Sequence, residues 1–287
     1  MGAVYKKELK SFFTTMTGYV FIAFILVIVG IFMTSLNLKG GYPDFEHNLS
    51  SVSFTFLFLI PILTMRSFSE ERHSRTDQLL YSLPLSVKDI VLGKYFAMLS
   101  VFAIPCAVMC LYPLILSMYG AVFFIRTYSA ILAFFLLGSA LIAIGMFMSS
   151  LTESQVISAV VCFGAVLVCY LMSGIAGLIP ATALATFISF TVINLLLCAL
   201  IWYMTKNTII AYSFAFGIEA VILIVYMTNR VLLEGLINKV LSAVSLFERL
   251  SNFVYGMFDL TSILYYLSVM IIFVFFTCQA VEKRRWS

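Results

Sequence analysis

Ser154-QVISAVVCFGAVLVCYLMSGIAGLIPATALATFISFTVINLLLCALIWYM-Thr205 runs for 52 residues without a charged side chain. A helix needs roughly 20 apolar residues to cross about 30 Å of hydrocarbon. The stretch is too long for one crossing, and Gly177-Leu-Ile-Pro180 is the natural place for it to turn. Uncharged runs recur on both sides, at Ser11 to Leu38, Asn48 to Met65, Tyr95 to Ile125, Thr127 to Thr152 and Thr261 to Val281. Of the 287 residues, 63% are hydrophobic and only 10% charged, where a soluble domain carries about a quarter charged. The sequence is that of an all-α polytopic membrane protein.

Bilayer-length segments fall at roughly Tyr19 to Leu36, Ser51 to Phe68, Tyr95 to Tyr119, Tyr128 to Ser150, Gln155 to Leu178, Leu184 to Met204, Ile209 to Thr228 and Ser262 to Val281. That predicts about eight transmembrane helices, or six with the same termini if Leu184 to Thr228 is a re-entrant pair. Pro61, Pro105 and Pro113 lie within spans and are expected to kink them. With the N-terminus inside, twelve of the seventeen Lys and Arg fall on the inner side and five on the outer. This satisfies the positive-inside rule with both termini cytoplasmic in a plasma-membrane protein. The net charge of +4 is too small and too dispersed for a nucleic-acid binder.

Three segments stand outside the spans. Before the first, Tyr5, Leu9, Phe12, Phe13 and Met16 gather on one helical face and Lys6, Lys7 and Lys10 on the other. This fits a short helix over residues 3–17 lying in the inner interface. Between the second and third spans, the cytoplasmic segment 69–92 contains Thr76, Leu79, Leu80 and Leu83 at helical spacing, stopped by Pro84. Ser86 with Asp89 then forms a capping-box-like restart. Leucines offered toward solvent call for a partner or for the inner ends of neighbouring spans. On the outer side, residues 230–259 align Leu233, Leu236, Ile237, Val240, Val244 and Phe247 against Glu234, Asn238, Ser242, Ser245 and Arg249, predicting an extracytoplasmic amphipathic helix.

Catalytic signatures are missing. The sequence has no GxxxxGK[ST] loop, since Gly93-Lys94-Tyr95 lacks the upstream glycine and the magnesium-facing hydroxyl, and it has no HExxH or GxSxG. The six cysteines sit in apolar runs, where thiols behave as small hydrophobes, so neither a disulfide framework nor a metal site is expected. The first run is too long for a signal-peptide core and ends without a small-x-small site. Glu219 alone breaks the apolar rule, near the middle of the seventh span. A carboxylate there costs on the order of 3 kcal/mol on insertion scales. It is either a substrate contact or proton relay, or a hydrogen-bonded structural group reaching a Thr, Asn or Tyr of a neighbouring helix.

The order Glu70-Glu71-Arg72, Thr76, Leu79-Leu80, Pro84, Asp89-Ile-Val-Leu-Gly93-Lys94-Tyr95 resembles the signature of ABC-2 type transporter permeases. It is more closely similar to the GldF-like branch, through KKELKSFF followed by GYVF at the start and DLTSILYYLSV with EKRRW at the end. The resemblance implies a single ABC-2 transmembrane domain over 1–287, a six-helix core with an added hairpin at 184–228. Tyr5 to Met16 becomes the elbow helix, and Ser74 to Leu83 the coupling helix. Glu70 and Glu71 lie beside it, docking with Thr76, Leu79, Leu80 and Leu83 in the groove of a separate ATPase. Residues 230–259 take the place of the outer re-entrant element. Many relatives have Gly-Thr where this chain has Arg75-Thr76.

The implied function is the permease subunit of an ATP-driven transporter, an exporter of an unidentified substrate or a machine acting on an envelope partner. Two ABC ATPase subunits bind ATP and Mg, while this chain binds no cofactor. The second permease is another copy or a GldG-like subunit, and the bilayer is the remaining partner. In related transporters the second and fifth spans face the path, nominating Thr55, Thr64, Ser158 and Ser173, with Glu219 a further candidate. Two rivals remain from the residues alone: an ion-coupled secondary transporter centred on Glu219, and a non-transporting membrane scaffold.

Overall fold

A computed structural model describes residues 1–76, 86–205, 208–228 and 230–285. The expected Leu79, Leu80 and Leu83 of the coupling helix lie outside the described residues. Every regular element among those described is helical. The helices are α1 (Gly2–Thr14), α2 (Thr17–Phe32, continued as a π-turn over Met33–Lys39), α3 (Glu46–Val52), α4 (Phe56–Thr64), α5 (Ser69–His73), α6 (Val87–Met109) and α7 (Tyr112–Leu116). They continue as α8 (Phe124–Leu151), α9 (Gln155–Leu178), α10 (Ala183–Thr205), α11 (Thr208–Thr228), α12 (Arg230–Leu233), α13 (Leu236–Val244), α14 (Glu248–Val254) and α15 (Leu260–Arg285).

Among the described residues, six candidate spans are long and apolar enough to cross a bilayer: Thr17–Lys39, Glu46–His73, Val87–Leu116, Phe124–Leu151, Gln155–Leu178 and Leu260–Arg284. A seventh is added if Ala215–Thr228 and Arg230–Val244, bent by 120°, count as one. Pro61 and Pro105 lie inside α4 and α6. Pro113 instead opens the separate short helix α7, a position where its missing N–H breaks no helical hydrogen bond.

The chain divides into two compact units, residues 1–170 with 246–287, and residues 171–245. In the first, α8 is the hub, with 72% of its apolar window buried and α3, α4, α6, α14 and α15 packed around it. Small residues make this approach possible, as they do between membrane helices generally. A Cβ on Gly138 would sit 2.3 Å from the Phe102 ring, and one on Gly145 2.5 Å from Thr64 Oγ1. Phe102 cannot easily yield, because it is fully buried among Phe21, Phe56, Phe134 and Phe135. Gly138→Ala is therefore expected to destabilise by about 1–3 kcal/mol through overpacking. Gly174→Ala, with no atom within 4 Å, is the neutral or slightly stabilising control. Thermal melting in detergent compares the two.

In the second unit α10 and α11 pack on one another, with the rings of Phe187 and Tyr226 5.0 Å apart. Asn238 Nδ2 donates to the carbonyls of Ala176 (2.8 Å) and Ile179 (2.9 Å), capping acceptors that the end of α9 leaves open.

Two expectations need correction. Residues 230–259 form three short helices and not one amphipathic helix. Gly235 turns left-handed at φ +66° and Ser245 is extended, so the apolar face is divided. Leu233 and Ile237 are buried, Phe247 belongs to the core of the first unit, and Leu236, Val240 and Val244 stay exposed. Met16 is not on the N-terminal helix, which ends at Thr14, and it is 80% exposed.

Candidate functional site

The segment that joins the second and third spans begins and ends at well-built anchors. Ser149 Oγ of α8 accepts from the backbone N–H groups of Phe68 (3.2 Å) and Ser69 (3.3 Å), supplying a partner at the start of α5. Arg72 is buried and its guanidinium donates to the carbonyl of Thr152. The backbone then leaves the helix through Arg75, whose φ of +56° is left-handed. Thr76 closes this turn, its N–H donating to Glu71 O at 2.9 Å. On the far side, Asp89 N–H donates to Ser86 Oγ (3.1 Å) and Ser86 Oγ donates to Asp89 Oδ2 (2.6 Å). That is the side-chain cap expected from the sequence, and it starts α6.

Between these anchors sits a charged cluster that hydropathy does not signal. Lys94 is 2% exposed, and its ammonium has three donors. One goes to Glu8 Oε1 of α1 at 3.1 Å, one to Glu71 Oε2 of α5 at 3.0 Å, and one to the Ser67 carbonyl at 2.7 Å. The Phe68 ring lies beneath, its centroid 5.2 Å from Nζ, adding a cation–π contact. Lys7 Nζ closes the rim, 3.2 Å from Glu71 and 3.8 Å from Glu8, so two cations face two carboxylates. The same face of α1 packs on α6, with Val4 buried against Gly93 and Tyr5 OH hydrogen-bonded to Ser100 Oγ at 2.9 Å. Leu9, Phe12 and Phe13 are half-buried against the core.

The two acids nominated together are thus separated by role. Glu71 turns inward to Lys94, whereas Glu70 stays at the surface, 3.3 Å from Arg66. Sequence reasoning passed over Lys94 and Glu8. The available signal was a lysine placed between Gly93 and Tyr95 at the edge of an apolar run, together with the only acid in the basic N-terminal helix.

Among the nominated path residues, Thr64 Oγ1 lies 3.6 Å from Cys162 Sγ of α9. Thr55 and Thr64 are buried and donate to their own helical backbone at Val52 (2.7 Å) and Ile60 (2.8 Å), as span hydroxyls commonly do. Ser158 is buried and Ser173 half-buried. Glu219 accepts from Thr191 Oγ1 at 2.7 Å and from Asn194 Nδ2 at 3.1 Å, both on α10. Its two oxygens are thereby matched by neutral donors of the adjacent helix.

At the opposite end of α8 a second buried acid is paired. Glu46 is 1% exposed, 2.8 Å from Arg126 Nε, and accepts from Thr127 Oγ1 at 3.1 Å. Arg126 also donates to the Val254 carbonyl through Nε (2.9 Å) and Nη2 (2.7 Å). This pins α3, α8 and α14 together.

Among comparisons with known proteins, the family model described as ABC-2 family transporter protein matches residues 5–205. The matched region contains the whole Lys94 cluster and both anchors of the connecting segment. No curated protein and no solved structure matches the chain.

Proposed function

The chain belongs to the ABC-2 family of transporter proteins, membrane subunits of ABC transporters that associate with an ABC ATPase, and from that premise we propose how it is driven. The ATPase seats on the segment 69–92, with Glu70, Thr76 and the leucines 79, 80 and 83 as its contact surface. Two ATPase subunits, carrying ATP and Mg, close on nucleotide binding and displace this segment. A second permease chain, another copy or a GldG-like subunit, completes the assembly in the plasma membrane. The output is export of a substrate or work on an envelope partner, as in the GldF-like branch. Both termini are cytoplasmic, α1 is the elbow, and α10 with α11 supplies the hairpin that brings the crossings to eight.

One observation carries this reading. Lys94 Nζ holds α1, the end of the second span and the start of the third at a single point through Glu8, Glu71 and the Ser67 carbonyl. A push on the segment is therefore delivered to three helices together. Rigid contacts of this kind transmit displacement, whereas solvated pairs slip. The test replaces Leu79 and Leu80 with Asp and purifies the complex in mild detergent. Loss of two apolar anchors is expected to weaken ATPase capture about 30-fold or more, the equivalent of a ~2 kcal/mol hot spot. Normal ATPase stoichiometry with normal transport-linked hydrolysis counts against the proposal.

A further inference from the structure

A groove of about 500 Å³ runs between α6 and α15, away from the Lys94 cluster. Leu92, Phe96 and Leu99 form one wall, and Leu267, Ile271 and Phe275 stand on the other. Leu267, Ile271, Phe275 and Phe96 are all between 41% and 69% exposed. At one end the apolar lining gives way to Lys88, Gln279 and Glu282. Lys88 and Glu282 are exposed and make no ion pair among the described residues.

The dimensions match half a bilayer. From Leu267 to Glu282 the α15 wall rises by about 22 Å at about 1.5 Å per residue. One leaflet with its headgroup layer is about 20–22 Å deep. The polar end thus falls at headgroup level when the apolar stripe lies at acyl-chain level. A separate cation and anion at that level match a headgroup that itself carries both signs. Lys88 suits a phosphate, and the Glu282 carboxylate with the Gln279 amide carbonyl suits an ammonium that can donate hydrogen bonds.

We propose that the α6–α15 groove is a binding site for one zwitterionic glycerophospholipid with a primary ammonium headgroup, phosphatidylethanolamine in chemical class, its phosphate on Lys88, its ammonium on Glu282 and an acyl chain along Leu92 to Leu267. The site uses none of the side chains proposed to contact the ATPase. A quaternary ammonium cannot donate to Glu282, and an anionic headgroup without an amine leaves that carboxylate facing negative charge.

The full chain is reconstituted into nanodiscs containing equal parts of phosphatidylethanolamine, phosphatidylcholine and phosphatidylglycerol, then released and examined by native mass spectrometry. One retained phosphatidylethanolamine per chain is expected, about tenfold enriched over the other two. Glu282→Lys shifts the retained lipid to phosphatidylglycerol, and Lys88→Met with Glu282→Gln removes selectivity. Ile271→Trp, which fills the groove without touching the charges, abolishes retention of all three. Equal retention of the three lipids by the native chain overturns the proposal, as does unchanged selectivity in the charge variants. A dimer that dissociates on Ile271→Trp also overturns it, by placing a second copy of the chain in the groove.

Discussion

Replacing Lys94 with methionine is expected to lower stability by about 3–5 kcal/mol, the usual cost of removing one partner from a buried ionic set. That corresponds to a fall of roughly 10 °C or more in the melting midpoint. Methionine keeps much of the lysine's length and its apolar stem, so the loss isolates the charge. What remains is two carboxylates, Glu8 and Glu71, only 14% and 15% exposed, facing one another with Lys7 at the rim. Lys7 is 60% exposed, and solvent screens most of what it can supply. The Ser67 carbonyl also loses its Lys94 donor. The triple replacement Glu8→Gln, Glu71→Gln, Lys94→Met removes every buried charge of the cluster and is expected to regain most of the lost stability. Lys6→Met, on the exposed side of α1, should stay within about 0.5 kcal/mol of the native chain. A Lys94→Met protein that melts with the native chain would show that the cluster is not a structural post.

The same cluster explains where the sequence is legible and where it is not. Gln155–Leu178 is read with both ends in place because no charge lies inside the helix, and Glu153, paired with Arg284 just before it, stays outside the helix. The second span, expected over Ser51 to Phe68, extends over Glu46–His73. One end carries Glu46, neutralised by Arg126, and the other carries Glu71, neutralised by Lys94. The third span begins at Val87 and not at Tyr95 for the same reason. A hydropathy reading stops at a charge, yet a helix continues through one whose partner folds in from elsewhere. Those partners are remote, 86 residues apart for Lys94 and Glu8, so linear spacing carries no trace of them.

Backbone geometry accounts for other differences. Arg75 has a φ of +56°, the region glycine enters most freely. The turn after α5 thus keeps the shape that glycine favours, with Thr76 bonded back to Glu71. In residues 230–259 the apolar periodicity is continuous in sequence but interrupted in space at Gly235 and Ser245. Periodicity records which residues seek burial and says nothing of whether one helix buries them all. Glu219 is the converse case. The expectation of a Thr or Asn on a neighbouring helix could be framed from sequence, whereas its pairing with Thr191 and Asn194 together required the approach of α10 and α11.

Arg126→Met is expected to cost about 3 kcal/mol, with the effect at the end of α8 opposite the Lys94 cluster. Two losses add. Glu46, 1% exposed, keeps only Thr127 as a donor among the described residues and becomes a buried carboxylate without its cation. The Val254 carbonyl loses both guanidinium donors, worth about 1 kcal/mol net for an ordinary hydrogen bond. Adding Glu46→Gln to Arg126→Met is expected to recover the first loss and leave the second, so the double variant should melt between the single variant and the native chain. Because a Cβ on Gly256, at φ +83°, would sit 3.3 Å from the Arg126 side chain, the arginine covers this turn and the damage should spread to the turn after α14. Faster amide exchange is expected there, with α4 and α6 unaffected. If the double variant is no more stable than Arg126→Met alone, the Glu46 charge is not what the arginine neutralises, and α14 is held by its carbonyl contact alone.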